Sequence, residues 1–361
     1  MQRRPPRPGR ARTQLAHRTN GPPFLMGRDW LKFTARQQAR SVERAFVYWR
    51  QNGFPYIRLN PSEINNELSW LLRASPDSIL MRSTLSVSTV GLRLANFFHP
   101  QMWHVPVHDY KTPFDRYQDD FCLRDCIRKA LRFFPDRNSL NAQCLRSTLR
   151  IYRGTTRVSN FRPTVARAFC ARFSGPGETI LDFSAGYGGR LLGCLSLPRR
   201  YVGIDPCAAQ VEGLRTMTRV FRDKLPGSAQ IIKACAEDYL EKLPPRSVDL
   251  IFSSPPYFNH ERYSTEASQS YLRYPEYPQW RKMFLERVLL AAFDLLKPRG
   301  FLILNVADPP GIPLIADSLR ILKRHLRLHE TVAMPLYRLP LQRAMTQQAF
   351  KHEPIFVFRK R

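Results

Sequence analysis

After Arg150, short apolar runs alternate with amphipathic stretches, and this alternation limits the fold more than any other feature of the 361-residue chain. Ile180 to Phe183 reads as a strand, Gly188 to Leu195 as a helix, Tyr201 to Ile204 as a strand, Ala208 to Phe221 as a helix and Ile231 to Ala234 as a strand. A strand at 248–252 follows. A long helix from Trp280 to Leu296 carries Phe284, Val288, Leu289, Ala292 and Leu296 on one face, stops at Pro298-Arg299-Gly300 and feeds a strand from Phe301 to Val306. Ile312 to His325 reads as a further helix, with Glu330 to Tyr337 and Pro354 to Arg359 as closing antiparallel strands. Strands that alternate with helices pair in parallel and are covered on both faces, so residues 151–361 are expected to form an α/β domain with a doubly wound sheet.

Residues 29–150 have a different texture and are expected to form a mainly helical N-terminal domain. Val42, Ala45, Phe46 and Trp49 recur at helical spacing until Asn52-Gly53 and Pro55 end the run. Asn60, Pro61 and Glu63 are the N-cap, first-turn proline and capping-box acid of a second helix, whose stripe is Ile64, Leu68, Leu71 and Leu72. A third runs from Asp119 to Phe134, and the aromatic, His- and Pro-rich stretch from Asn96 to Tyr117 reads as ordered but irregular. The arginines here either line a nucleic-acid surface or are simply solvated. Residues 1–28 hold arginines and prolines and no acid, the composition of a disordered basic tail that serves as a phosphate-binding arm, a targeting segment or nothing more.

Lys and Arg outnumber Asp and Glu by 57 to 29, a net charge of +28, which calls for a polyanionic partner, nucleic acid before an anionic membrane. No stretch is long and apolar enough to span a bilayer. Seven cysteines, an odd number without C-x-x-C pairs, suit a reducing intracellular compartment and neither a disulfide framework nor a zinc knuckle, and no metal is expected.

The chemistry gathers at strand ends. The strand at 180–183 runs into Asp182-Phe183-Ser184-Ala185-Gly186-Tyr187-Gly188-Gly189, where glycines permit a tight turn and a helix N-terminus offers free amides to a nucleotide. Leu191 stands where a dinucleotide fingerprint would place its third glycine, which weakens an NAD reading. Asp205, at the next strand end, can accept both hydroxyls of a ribose. Glu237 and Asp238 follow the third strand, where Asp238 can accept from an adenine amino group, although each acid alone is more often a helix cap. The fourth strand, VDLIFS, meets Ser254-Pro255-Pro256-Tyr257, two prolines that forbid further ladder bonds and leave a hydroxyl, free carbonyls and an aromatic face.

With these motifs, residues 155–361 resemble the class I S-adenosylmethionine-dependent methyltransferases, and within them the exocyclic-amino DNA methyltransferases of phages and bacteria. DFSAGYGG matches that family's glycine motif, GIDP its ribose acid, SSPPYF its catalytic tetrapeptide, and Ser159 to Thr164, with Phe161 and Pro163, its additional cofactor motif. The resemblance implies a Rossmann-like, seven-stranded methyltransferase sheet. It also implies S-adenosylmethionine held by Phe161, Pro163, Asp182, Ser184, Gly186, Gly188, Asp205, Glu237 and Asp238. The catalytic residues would be Ser254, Pro255, Pro256 and Tyr257. The Ser254 hydroxyl and the Pro255 carbonyl would take the two hydrogens of an amino group, and Tyr257 would stack on a base flipped from duplex DNA. Serine at the first position goes more often with cytosine N4 than with adenine N6. No nucleophilic cysteine is needed, and Cys207 after Pro206 is read as structural. Adenine N6, RNA, a protein amide, or a non-catalytic DNA-binding role on this fold are the rivals, and a companion restriction system is a possible partner. Tyr263, Tyr271, Tyr274 and Tyr277, interleaved with Arg262 and Arg273, read either as a stacking and phosphate-contacting mouth or as a lid packed on its own tyrosines.

Overall fold

The computed structural model describes residues 30–82, 84–134, 140–336 and 352–361. The basic tail at 1–28 and the end of the closing strand expected at Glu330 to Tyr337 lie outside them. Nine strands are present among the described residues: β1 (Leu80–Met81), β2 (Thr84–Leu85), β3 (Thr179–Asp182), β4 (Arg200–Asp205), β5 (Ser228–Lys233), β6 (Val248–Ser253), β7 (Leu296–Asn305), β8 (Arg327–Pro335) and β9 (His352–Arg359). They form one sheet in the order β1-β2-β8-β9-β7-β6-β3-β4-β5. The strands β3 to β7 pair in parallel, and β9 lies antiparallel between β7 and β8. This is the α/β, Rossmann-like doubly wound sheet expected, with seven strands in its body. The two-residue strands β1 and β2 extend one edge, from a segment expected to be helical.

Strand alternation shows why the sheet is buried on both faces. Leu181, Ile251, Leu302 and Leu304 point into a cluster with Leu289, Ala292 and Leu322 from the covering helices. Their neighbours Ile180, Phe252 and Ile303 are as fully buried on the opposite side, where Phe169 of the helix Pro163–Phe173 approaches Phe252 at 5.6 Å. The long helical run extends over Tyr277–Trp280, Arg281–Glu286 and Arg287–Leu295. It ends before Leu296, which is already extended and pairs with Val248, because helical geometry is disfavoured on the approach to Pro298.

The chain divides into two compact units. One comprises residues 1–63 and 100–158, the other residues 64–99 and 159–361, so the division differs from the expected boundary at 150/151. The segment 64–99 joins the sheet unit because its own short strands pair there and Arg167 bonds the carbonyls of Leu72 and Ala74. The first unit is built on the helices Ala35–Asn52, Asp120–Phe133 and Ala142–Ile151, with Trp49, Cys126 and Leu145 in its core. The expected capping box at Asn60 and Glu63 is present, with reciprocal bonds of 2.9 and 2.8 Å. Among the described residues no helix is long and apolar enough to cross a membrane.

Strands β3, β4 and β5 advance in one direction across the sheet, whereas β6 returns to the other side of β3. The order therefore reverses between β3 and β6, the place in an open α/β sheet where ligands bind at the carboxyl ends of the strands. Those two ends carry the glycine loop and the proline turn.

Candidate active site

Asp182 closes β3 with its side chain wholly buried. Its carboxylate takes Arg190 Nε at 2.6 Å, the Tyr201 hydroxyl at 2.7 Å and the Ser253 hydroxyl at 2.7 Å. These bonds use up the acid inside the protein. Asp182 anchors the loop from beneath, in contrast to the ligand contact that its place at a strand end suggests. Arg190 also donates to the Ser184 carbonyl at 2.5 Å, which braces the loop above. Gly186 and Gly188 both have positive φ, 57° and 75°, and a Cβ at Gly188 would lie 2.9 Å from the Met217 side chain.

Asp205 ends β4 and is 7% exposed. It accepts from the Gly186 amide at 2.8 Å and from the Cys207 amide at 2.9 Å, so it fixes the loop and keeps lone pairs for two further donors. Desolvation pushes its pKa up to about 7. The native carboxyl then keeps its proton to about pH 7, while the unfolded chain releases it near 3.8. The native state binds more protons across that window, and its stability falls as pH rises. Asp205→Asn should flatten this slope in urea unfolding of the ligand-free protein between pH 4.5 and 8. An unchanged slope would mean the proton resides elsewhere.

The segment ahead of β3 lies against the loop. Asn160 accepts from the Gly189 amide at 3.1 Å and donates to the Tyr187 carbonyl at 2.9 Å. A Cβ on Gly189 would come within 1.9 Å of the Phe161 carbonyl oxygen, so only glycine fits there. The Phe161 ring meets Phe252 edge-on at 5.4 Å, with the Arg190 guanidinium 5.7 Å from its centroid. Pro163 starts a helix and is buried there, so it packs where the resemblance would have it touch a ligand.

After β5, Glu237 is 1% exposed, and desolvation raises its pKa. Arg273 lies 2.5 Å from Glu237 and 2.8 Å from Asp238. Cys235, Glu237 and Asp238 are close enough to hold a metal ion, but the guanidinium already supplies the positive charge. Arg273 belongs to the stretch Asn259 to Gln279, which folds back over these strand ends. Glu266 accepts from the Ala208 amide at 2.9 Å, and Ser268 donates to the Pro206 carbonyl at 3.3 Å. Tyr271 bonds the Ser264 carbonyl, Tyr277 bonds Asp317, and Tyr274 is buried. These three tyrosines and Arg273 form a packed lid, whereas Tyr263 turns toward the proline turn.

Ser254 to Tyr257 leave β6 without regular structure, one residue after the Ser253 that binds Asp182. Pro255 is buried, and Ser254, Pro256 and Tyr257 are partly buried. The Tyr257 hydroxyl donates to Glu353 on β9 at 2.5 Å, and desolvation raises its pKa well above the ordinary phenol value. Phe258 adopts φ 55° and is locked between Tyr277 and Trp280, with both ring centroids at 5.6 Å. Tyr263 donates to Glu261, and its ring meets Tyr187 at 6.0 Å. Desolvation and the nearby Glu353 push Glu261 up to about 7. Arg162 donates to the Pro335 carbonyl and lies close to Glu353. Sequence reasoning missed Glu261, Glu353 and Arg190. For Arg190 alone a local signal existed, a cation directly after the glycines in the first turn of the helix Gly189–Leu195.

No family model matches the chain, and no curated protein does. Among solved structures it is similar to TrmN from Thermus thermophilus, with 14% identity over 71% of this chain and 82% of that one, at a TM-score of 0.39. It is also similar to a SAM-dependent methyltransferase from Methanosarcina mazei, with 14% identity over 53% and 96% at 0.37. The precorrin-6y C5,15-methyltransferase of Geobacter metallireducens matches with 13% identity over 55% and 88% at 0.36. The doubly wound fold itself rests on the strand order and pairing described above.

Proposed function

We propose that the chain is an S-adenosylmethionine-dependent methyltransferase that acts on the exocyclic amino group of a base flipped out of duplex DNA, cytosine N4 first. One observation carries this reading: Ser253, which leads into the SPPY turn, is bonded to the same Asp182 that anchors the glycine loop. Donor and acceptor elements thereby share one rigid base at the point where the strand order reverses.

The residues fit the methyl donor. Asp205 keeps free lone pairs for ribose hydroxyls, and positive φ at Gly186 and Gly188 makes the tight turn that lets a ligand approach the backbone. The Tyr187 hydroxyl is buried without a hydrogen-bond partner among the described residues. Asp238 would accept from the adenine amino group, in competition with Arg273. When bound, S-adenosylmethionine supplies an electrophilic methyl group on a sulfonium. The chain's own part is to orient the acceptor. A nucleobase amino nitrogen has its lone pair drawn into the ring. Hydrogen bonds from its two hydrogens to the Ser254 side chain and the Pro255 carbonyl would return that pair to the nitrogen and aim it. Tyr257 would hold the flipped base by stacking. The net charge of +28 favours a nucleic acid as the acceptor's carrier, and serine at the head of the turn favours cytosine by the resemblance.

Incubation with labelled S-adenosylmethionine and duplex DNA, followed by nucleoside mass spectrometry, should give N4-methylcytosine. N6-methyladenine would move the acceptor to adenine. Absence of any methylated nucleoside with cofactor binding intact would overturn the enzymatic reading.

A further inference from the structure

Three phenols and two carboxyls surround the proline turn inside a chain whose overall charge is strongly positive. Tyr257 donates to Glu353, Tyr263 donates to Glu261, and Tyr187 meets Tyr263 ring to ring, its hydroxyl without a hydrogen-bond partner among the described residues. The two acids are not equivalent. Glu353, on β9, is tied to the turn itself and has Arg162 close by. Glu261, four residues beyond Tyr257, has no cationic partner among the described residues, and its one bond is to the Tyr263 hydroxyl. A carboxyl held beside the acceptor position without a counter-charge contributes little as a salt bridge and is suited to exchange a proton.

We propose that Glu261 is a further catalytic residue that takes the proton the acceptor nitrogen must lose, with Glu353 as a positioning residue acting through Tyr257. The proposal rests on the amino-methyl transfer read above. In the step, the nitrogen lone pair forms the new N–CH3 bond while the S–CH3 bond breaks and its electron pair stays on sulfur. The positive charge moves to nitrogen, and one N–H proton then passes to the Glu261 carboxylate, directly or through one water. Charge and atoms balance without any further reactant.

The groups that face Glu261 set when it can act. They are Glu353 from β9 and Tyr257, Tyr263 and Tyr187 from the turn, the lid and the glycine loop. Asp205 and Cys207 lie behind Tyr187, and Arg162 lies on the far side of Glu353. Desolvation by burial, with Glu353 adding to it and the Tyr263 hydrogen bond opposing it, holds Glu261 protonated until about pH 7. The base form, and with it the rate, should therefore rise with pH through neutrality.

The test is the single-turnover rate of methyl transfer to duplex DNA from pH 5.5 to 9, with the full chain and labelled S-adenosylmethionine. Wild type should rise to a plateau above pH 7. Glu261→Gln should lower the plateau on the order of 10²-fold and lose the pH-dependent limb, while the Kd for S-adenosylmethionine changes less than threefold. Glu261→Asp should keep the limb at an intermediate rate. Infrared spectra of the ligand-free Asp205→Asn chain, in which the other carboxyl pushed up to about 7 is removed, should show a carboxylic-acid band that titrates near pH 7 and is missing when Glu261→Gln is added. A wild-type rate or an unchanged limb in Glu261→Gln would overturn the assignment, as would a band near pH 7 that survives the substitution in the Asp205→Asn background. Failure of the parent reading appears differently, in a wild-type chain that binds S-adenosylmethionine and methylates no nucleic acid, and it removes the proton's source along with the acceptor.

Discussion

Asp182→Asn should destabilise the protein by about 3–5 kcal/mol, the usual cost of breaking one side of a buried ion pair. The substitution leaves Arg190, 7% exposed, without its counter-charge. It also places an amide N–H among donors, because Arg190, Tyr201 and Ser253 all point hydrogens at the same two oxygens. Urea unfolding measures the loss. The double variant Asp182→Leu with Arg190→Met should recover part of it, since an apolar pair of similar volume needs no compensating charge. Both variants should lose affinity for S-adenosylmethionine, because Arg190 also holds the Ser184 carbonyl and through it the glycine loop. A chain that tolerates Asp182→Asn within 1 kcal/mol would show that the buried network is not what holds β3, β4 and β6 in register at their ends, a threshold set by the cost of an ordinary lost hydrogen bond, about 1 kcal/mol.

The second large effect is expected at Tyr257. Tyr257→Ala removes both the stacking face and the bond to Glu353, and should lower the methyl-transfer rate on the order of 10²-fold or more, with a much smaller change in cofactor affinity. Tyr257→Phe separates the two contributions. It keeps the ring and removes the hydroxyl's 2.5 Å bond to Glu353 together with its contact to the Ser254 side chain, so about a tenfold loss is expected, on the scale of one or two lost hydrogen bonds. Rapid-quench measurement of the transfer step, beside calorimetric titration of S-adenosylmethionine, distinguishes the outcomes. Equal losses in rate and cofactor affinity for Tyr257→Ala would remove the stacking role, and a Phe variant as impaired as Ala would assign the whole effect to the hydroxyl and its contacts with Glu353 and Ser254.

What could be read from the sequence divides by how local its cause is. The capping box at Asn60 and Glu63 was legible because its bonds span three residues, and the strand at 248–252 because two prolines end it. The glycine loop, Asp205 and the SPPY turn were legible because their chemistry lies in residue type and position at a strand end. The role of Asp182 was not. An acid at a strand end looks available to a ligand, and only the approach of Tyr201 from β4 and Ser253 from β6 shows that it is consumed. Strands β1 and β2, two residues each, are too short for any periodicity to register. Glu353 sits 96 residues from the tyrosine it holds, and nothing within its own strand marks it. The lid was left as two readings because tyrosines with arginines suit either. Bonds from Glu266, Ser268 and Arg273 to the strand ends decide for packing over that part of the stretch.

The place of β9 has a consequence for how the molecule is assembled. It follows all the other described strands in the chain, yet it lies between β7 and β8, and neither of those can be bridged to the other before it arrives. The Asp182–Arg190 anchor closes a loop of eight residues and the Gly186–Asp205 bond one of 19, whereas the Ser253–Asp182 and Tyr257–Glu353 contacts of the turn close loops of 71 and 96. Loop-closure entropy and the slow search for distant partners therefore act almost entirely on the acceptor side. During refolding the donor loop should gain hydrogen-exchange protection with the central strands, and the proline turn should gain it in a later phase, once β9 has entered the sheet. On the proposed reading, the nascent protein would be able to hold a methyl donor before it could use one.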